Sequence, residues 1–217
     1  MMINFIKTHY FQAYLLYNLD GGIMLENYFI DKKVILRKLE DTEFDYKILE
    51  KWYQNDFVYL YFEQRPLNYL EIKNKYYPRT LENASIPVYM IEYENRPIGI
   101  VQYKLVNNDD KIIYGLNGDN IYELDIFIGE LDYQNKGLGK VCIDIISKYL
   151  FKEKNANKII MCPLKDNLKA INCYKKCGFM IVKDFIDNDT IGNQKEYVLM
   201  ISDSNDKNGD YTRYWND

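Results

Sequence analysis

The sequence predicts one mixed α/β domain, and three observations carry that prediction. Short apolar, β-branched runs alternate with helical patterns in the order β-α-α-β-β-β-α-β-α-β-β, without repeats or an internal linker. Leu138, Val141, Cys142, Ile145, Ile146, Tyr149 and Leu150 recur at steps of three and four, the clearest buried helix face in the chain. At 217 residues, with 47% hydrophobic and 28% charged content, the chain is long enough for one well-buried domain and short for two.

In order along the chain, Val34-Ile35-Leu36-Arg37 reads as a first strand. Asp41-Thr42-Glu43 supplies caps for a helix whose face is Phe44, Ile48, Leu49 and Trp52. A second helical pattern, Tyr69 to Tyr77, stops at Pro78. Pro87 to Tyr93 and Pro97 to Leu105 are strands joined by the turn Glu94-Asn95-Arg96, and Asn107 to Asn120 reads as a polar loop. Ile121 to Ile128 is the next strand, Leu138 to Leu150 the long helix, and Lys158 to Cys162 a buried strand. Asn167 caps a helix from Leu168 to Cys177, which Gly178 closes. Phe179 to Phe185 and Glu196 to Ile201 are the last strands, around the turn Asp187 to Asn193.

These elements place the domain at residues 24–203, followed by a polar tail, 204–217. Residues 1–23 lack the charged start and apolar stretch of a signal peptide. Asp20-Gly21-Gly22-Ile23 stands just before Met24, and glycine codons there resemble a ribosome-binding site. Two readings follow: a non-native extension upstream of a start at Met24, or a genuine helix over Phe11 to Leu19.

The formal charge of −4 and pI near 5.2 argue against a nucleic-acid partner and permit a cationic ligand. The four cysteines, Cys142, Cys162, Cys173 and Cys177, read as reduced core thiols rather than metal ligands, since the only histidine is the distant His9. Neither a metal nor a His-dependent nucleophile is expected. No apolar run approaches the roughly 20 residues that span a bilayer, so the expectation is a cytoplasmic protein without a membrane partner.

Chemistry concentrates in three places. Gln134-Asn135-Lys136-Gly137-Leu138-Gly139-Lys140 lies between a strand and the best helix. Its glycines let backbone N–H groups approach a ligand, and the helix N-terminus behind them suits a pyrophosphate. Asn167, Ala170 and Tyr174 step by three and four along one side of a short helix, where Tyr174 also reads as a core aromatic. In the strand Tyr122 to Ile128, alternation puts Leu124, Ile126 and Ile128 on one face and Glu123 and Asp125 on the other. Those carboxylates either face solvent or serve a reaction, Asp125 taking a proton from an attacking ammonium while Glu123 holds a second positive group.

The pattern Q-x-x-G-x-G, then a strand, then N-x-x-A-x-x-x-Y-x-K-x-G-F, resembles the two coenzyme A-binding motifs of the GNAT superfamily of N-acetyltransferases. The match is detailed over Tyr122 to Phe179 and follows element order over Met24 to Ser202; Gln134 departs from the arginine of many members. The resemblance implies acetyl-CoA as cosubstrate, no metal, and a splay between the family's fourth and fifth strands, here Ile121 to Ile128 and Lys158 to Cys162. The pantetheine arm would add to the fourth strand, with backbone groups of Phe127 and Ile128 contacting the cofactor and an oxyanion near Phe127. Gln134 to Lys140, Asn167 and Ala170 would bind the cofactor, and Tyr174 would return a proton to its thiolate.

Within the superfamily, Asp125 followed by Phe127-Ile128-Gly129, with Trp52 and Pro97-Ile98-Gly99-x-x-Gln102, most resembles the aminoglycoside 6'-N-acetyltransferases. That resemblance implies Asp125 as base or anchor and Tyr61, Tyr76, Gln102 and Glu123 as substrate contacts. A polycationic amine would suit the acidic set Asp119, Glu123, Asp125, Glu130 and Asp132. A hydroxylysine-like siderophore precursor or another small amine, a protein N-terminus, and non-catalytic binding of acetyl-CoA or antibiotic stay open. Both a monomer and a homodimer fit the sequence.

Overall fold

The structure, a computed structural model, describes residues 23–25, 28–31, 33–189 and 191–204, with side chains from residue 33 onward. The strands are β1 (Ile23–Leu25), β2 (Tyr28–Asp31), β3 (Val34–Lys38), β4 (Val88–Tyr93), β5 (Arg96–Leu105), β6 (Ile121–Ile128), β7 (Lys158–Met161), β8 (Met180–Asn188) and β9 (Gln194–Asp203). The helices are α1 (Glu43–Tyr53), α2 (Asp56–Phe62), α3 (Tyr69–Thr80), α4 (Asn108–Tyr114), α5 (Leu138–Lys152) and α6 (Leu168–Lys176). The described strands make one sheet in the order β1-β2-β3-β4-β5-β6-β7-β9-β8. Only β6 and β7 run parallel. The fold is therefore the single mixed α/β domain that the alternation of patterns implies.

Side-chain alternation divides the core between the two faces of the sheet. Along β4, Tyr89 and Ile91 join a cluster with Leu138, Ile143 and Ile146 of α5 and Ile171 and Tyr174 of α6. Val88 and Met90 point the other way, to Tyr46, Leu49, Trp52 and Tyr53 of α1 and Ile72 and Tyr76 of α3. Burying each such large side chain contributes about 1.5–3 kcal/mol, so these two layers dominate the stability. Arg37 of β3 ties the layers' edge together: its guanidinium donates to both carboxylate oxygens of the buried Asp45 (2.9 and 3.0 Å) and to Glu92 (2.9 Å).

The β6–β7 ladder is short. It pairs Ile121 with Lys158, Tyr122 with Ile159 and Glu123 with Ile160, and then β7 ends while β6 runs on to Ile128. On its other side β6 stays paired with β5 as far as Gly99 opposite Ile128. Half of β6 thus presents an unpaired edge inside the sheet, the splay that the family resemblance implies. The close β5–β6 approach excludes any side chain at Gly99, where a Cβ would lie 2.1 Å from the Phe127 carbonyl oxygen.

Several expectations are corrected. Two strands, β1 and β2, precede Val34 and pair antiparallel with each other and with β3. The polar segment after Asn107 is no loop: Asn107 caps α4 by accepting from Asp110 N (2.8 Å), and Gly115 ends it at φ +63°. The short α2, capped by Asn55, buries only Val58, too little to leave a periodic signature. α3 runs through Pro78 to Thr80, because a proline in the last turn sacrifices only one helical bond. Phe44 is exposed, and the buried face of α1 is instead Asp45, Tyr46, Leu49, Trp52 and Tyr53. The alternative readings of residues 1–22 and most of the polar tail lie outside the described residues.

Candidate active site

β6 leads through a short 3₁₀ turn, Leu131–Tyr133, into the glycine loop. Gln134 fastens that loop to the strand, its Nε2 donating to the Ile128 carbonyl at 3.0 Å. Asn135 and Gly137 both take left-handed backbone, φ +59° and +78°, which asparagine and glycine tolerate best. Gly137 is the N-cap of α5 and provides no side-chain cap, so the first-turn N–H groups of Leu138, Gly139 and Lys140 are left for a ligand. A Cβ built on Gly137 meets nothing within 4 Å, so the approach is open. Free N–H groups, the positive end of a 15-residue helix and open space fit a pyrophosphate. The Lys136 ammonium stands 5.1 Å from the Tyr133 ring centre, and Lys140 pairs with Asp144 at 2.6 Å.

Across the splay, Asn167 uses its side chain to cap α6, accepting from Ala170 N at 3.1 Å. Ala170 is partly buried beside the α5–α6 core. Tyr174 is buried, with its ring packed on Phe179. Burial, then the charge of Asp125, pushes its hydroxyl well above the ordinary tyrosine range, so it stays protonated at any physiological pH.

Asp125 projects from β6 directly opposite Gln102 of β5. Gln102 Nε2 donates to Asp125 Oδ2 at 3.0 Å, and Gln102 Oε1 accepts from Arg79 Nη1 at 2.6 Å. Because a guanidinium only donates, Arg79 fixes which end of the Gln102 amide faces Asp125. Arg79 itself lies over the Tyr76 ring at 5.1 Å, and the Tyr76 hydroxyl shares a 2.6 Å hydrogen bond with that of Tyr53. Among the described residues Arg79 pairs with no carboxylate, whereas Lys75 beside it pairs with Glu63. The Phe127 ring packs edge-on against Trp52, Tyr53 and Phe62.

Glu123 shares the face of Asp125 but is held by groups of its own. Lys104 Nζ lies 3.1 Å from it, and the Tyr114 hydroxyl donates to it at 3.2 Å. Burial, reinforced by the Asp125 charge, lifts its carboxyl to about 7 despite Lys104. The rest of the acidic set is dispersed: Asp119 pairs with Lys111, while Glu130 accepts from Lys51 (2.5 Å) and from the Trp52 indole (2.9 Å). Gly129 beside it has no room for a side chain, since a Cβ would lie 2.3 Å from that indole. Tyr61 lies apart from Asp125's hydrogen-bond partners, on a cavity of about 420 Å³ lined also by Leu60, Leu164, Lys165, Asp166, Lys195 and Glu196.

The structure therefore gathers Asp125 and Gln102 beside Tyr76, which is fully buried with its hydroxyl on Tyr53, and leaves Tyr61 on another cavity and Glu123 held by Lys104 and Tyr114. Sequence reading missed Arg79 and Tyr53. Ending the helix at Pro78 hid Arg79; continuing the step from Ile72 and Tyr76 would have placed it on the same face. No cluster of three or more His, Cys, Asp or Glu side chains among the described residues is arranged to hold a metal, and no described helix is long and apolar enough to cross a membrane.

Comparison with known proteins agrees with this geometry. Residues 46–179 match the acetyltransferase (GNAT) family. Aminoglycoside N(6')-acetyltransferases type 1 of Klebsiella pneumoniae and Serratia marcescens are each 27% identical over 142 residues, covering 64% of this chain and 70% of theirs. The aminoglycoside acetyltransferase AAC(6')-Ib, solved with paromomycin and acetyl-CoA, superposes with a TM-score of 0.67 at 21% identity, over 86% of this chain and 99% of that one. Spermidine N-acetyltransferase from Vibrio cholerae, solved with coenzyme A and spermine, superposes with a TM-score of 0.64 at 22% identity, over 80% and 96%. A helix N-terminus open for a pyrophosphate, a sheet splayed beside it and a family match over most of the domain have one reading: the chain belongs to the GNAT family and is an acetyl-CoA-dependent acetyltransferase.

Proposed function

We propose that the chain acetylates the 6'-amine of aminoglycosides, with Asp125 as the base. The observation that carries this reading is the setting of Asp125. One carboxylate oxygen is fixed by Gln102 while the other accepts from nothing among the described residues, beside the unpaired edge of β6. The curated relatives named above support the acceptor class.

Acetyl-CoA, held at the α5 N-terminus and along β6, supplies a thioester as the acyl donor. The free oxygen of Asp125 takes the proton from the incoming ammonium, leaving a nitrogen lone pair to attack the carbonyl carbon. Backbone N–H groups of β6 near Phe127 hold the carbonyl oxygen as its charge builds. As the tetrahedral intermediate collapses, its nitrogen loses a second proton to solvent and Tyr174 gives its proton to the departing sulfur. The products are the amide and coenzyme A, and solvent returns the Tyr174 proton.

Arg79 favours a second reading. A guanidinium that meets no carboxylate among the described residues, one amide away from Asp125, suits an amine that also carries a carboxylate, such as a hydroxylysine-like siderophore precursor. A coenzyme A release assay with kanamycin, tobramycin, spermidine and N6-hydroxylysine tests both. Turnover of the aminoglycosides with kcat/KM at least about 10-fold above the other amines supports the first reading. Turnover of the lysine derivative alone replaces it with the second.

A further inference from the structure

The cysteines fall into two chemical groups. Burial pushes the thiols of Cys142 and Cys162 far above the ordinary range, so both are inert. Cys173 and Cys177 are only partly buried, lie one turn apart on α6, and are hydrogen-bonded to each other. Cys177 is the helix C-cap and is followed by Gly178 at φ +87°, so the second thiol sits where the helix unwinds. Cβ atoms four apart on a regular helix are about 5–6 Å apart and a disulfide needs about 3.5–4.5 Å, so the pair closes only if the backbone at the Cys177 cap, already outside helical geometry, gives.

The surroundings make the two thiols unequal. Lys140 of α5 and Lys176 face Cys173 with positive charge and Asp144 with negative charge. The Cys177 hydrogen bond, then Lys176 and Lys140, pull the Cys173 thiol below its ordinary range against partial burial. With those two lysines beside it and its Sγ on the α5 side, Cys173 serves as the attacking thiol of the pair. Its Sγ also faces the cofactor loop: a Cβ on Gly139 would lie 3.9 Å from it.

We propose that Cys173 and Cys177 form a modification site for low-molecular-weight disulfides, and that its oxidation weakens acetyl-CoA binding. The Cys173 thiolate attacks one sulfur of R–S–S–R, forms Cys173–S–S–R and releases R–S⁻. Cys177 loses its proton to solvent, attacks Cys173 Sγ and releases the second R–S⁻. Two protein thiols are oxidised by two electrons and one small disulfide is reduced to two thiols. Closing the pair to an S–S length of about 2 Å tightens the last turn of α6, the turn that contains Tyr174 and lies against Gly139 in the first turn of α5.

The test incubates the reduced protein with glutathione disulfide, then measures intact mass, thiol peptides and acetyl-CoA affinity by calorimetry; no acceptor amine is needed, so the result stands apart from the aminoglycoside reading. Wild type should lose two of its four thiols without added mass, with an acetyl-CoA Kd about 10-fold higher that dithiothreitol reverses. Cys177→Ser should instead retain one glutathione on Cys173. The double variant Cys173→Ser/Cys177→Ser should bind acetyl-CoA as reduced wild type does and not respond to oxidant. Four free thiols after oxidation, an adduct that never resolves in wild type, modification at Cys142 or Cys162, or a disulfide that leaves acetyl-CoA affinity unchanged would each overturn the proposal.

Discussion

Gln102 faces Asp125 across the β5–β6 ladder and donates to one of its carboxylate oxygens, in an orientation that Arg79 imposes from α3. Asp125 is thus aimed by an amide that cannot turn round. Asp125→Asn keeps the shape and loses both charge and basicity. In the proposed mechanism kcat/KM falls by roughly 10² to 10⁴. A raised KM with kcat intact would make Asp125 an anchor only, and a lowered melting temperature would show that Gln102 was stabilising the ion for the fold's sake.

Tyr174→Phe should melt like wild type, because the ring still packs on Phe179. Its kcat should drop by about 10²-fold. The hydroxyl is held protonated far above neutrality, so the deficit should be the same at every pH on the alkaline side. An undiminished kcat would confine Tyr174 to packing.

Gly137→Val acts on the cofactor alone. The site has room for the side chain, but φ +78° does not suit a β-branched residue, and the added methyls shield the N–H groups of the first turn. The KM for acetyl-CoA should rise at least about 10-fold while that for the amine stays near wild type. Equal shifts in both constants would show a general distortion of α5 instead.

Glu123→Gln should make stability less dependent on pH. In the folded protein this carboxyl keeps its proton up to about 7, whereas in the unfolded chain it ionises near its ordinary value of 4.5. Between those values the native state binds more protons, so wild-type stability falls as pH rises and then levels off. Glutamine is matched to the wild type near pH 4 and is the more stable of the two at pH 8, where Lys104 keeps Asp110 as its partner. A melting-temperature difference that does not change with pH would contradict this.

The centre of the site was legible because local pattern and chemistry coincide there: an alternating strand, two glycines and the strongest helical period follow one another from Tyr122 to Leu150. α4 was hidden by its composition, although Asn107 and Gly115 were ordinary cap signals, because a helix that buries only Tyr114 carries no apolar stripe. The contacts of Asp125 and Glu123 depend on sheet register and on helices distant in sequence. Two carboxyl groups two residues apart, alike in the sequence, therefore end differently, Asp125 with one oxygen unclaimed among the described residues and Glu123 enclosed by Lys104 and Tyr114.

Trp52 presses its indole against the backbone of Gly129 and donates to Glu130, on the segment between β6 and the cofactor loop. It is one of two tryptophans, and the other, Trp215, lies outside the described residues. In a Trp215→Phe protein Trp52 is the single tryptophan left, seated between Asp125's strand and the glycine loop, and under tryptophan-selective excitation titration with acetyl-CoA should move its emission without any added label.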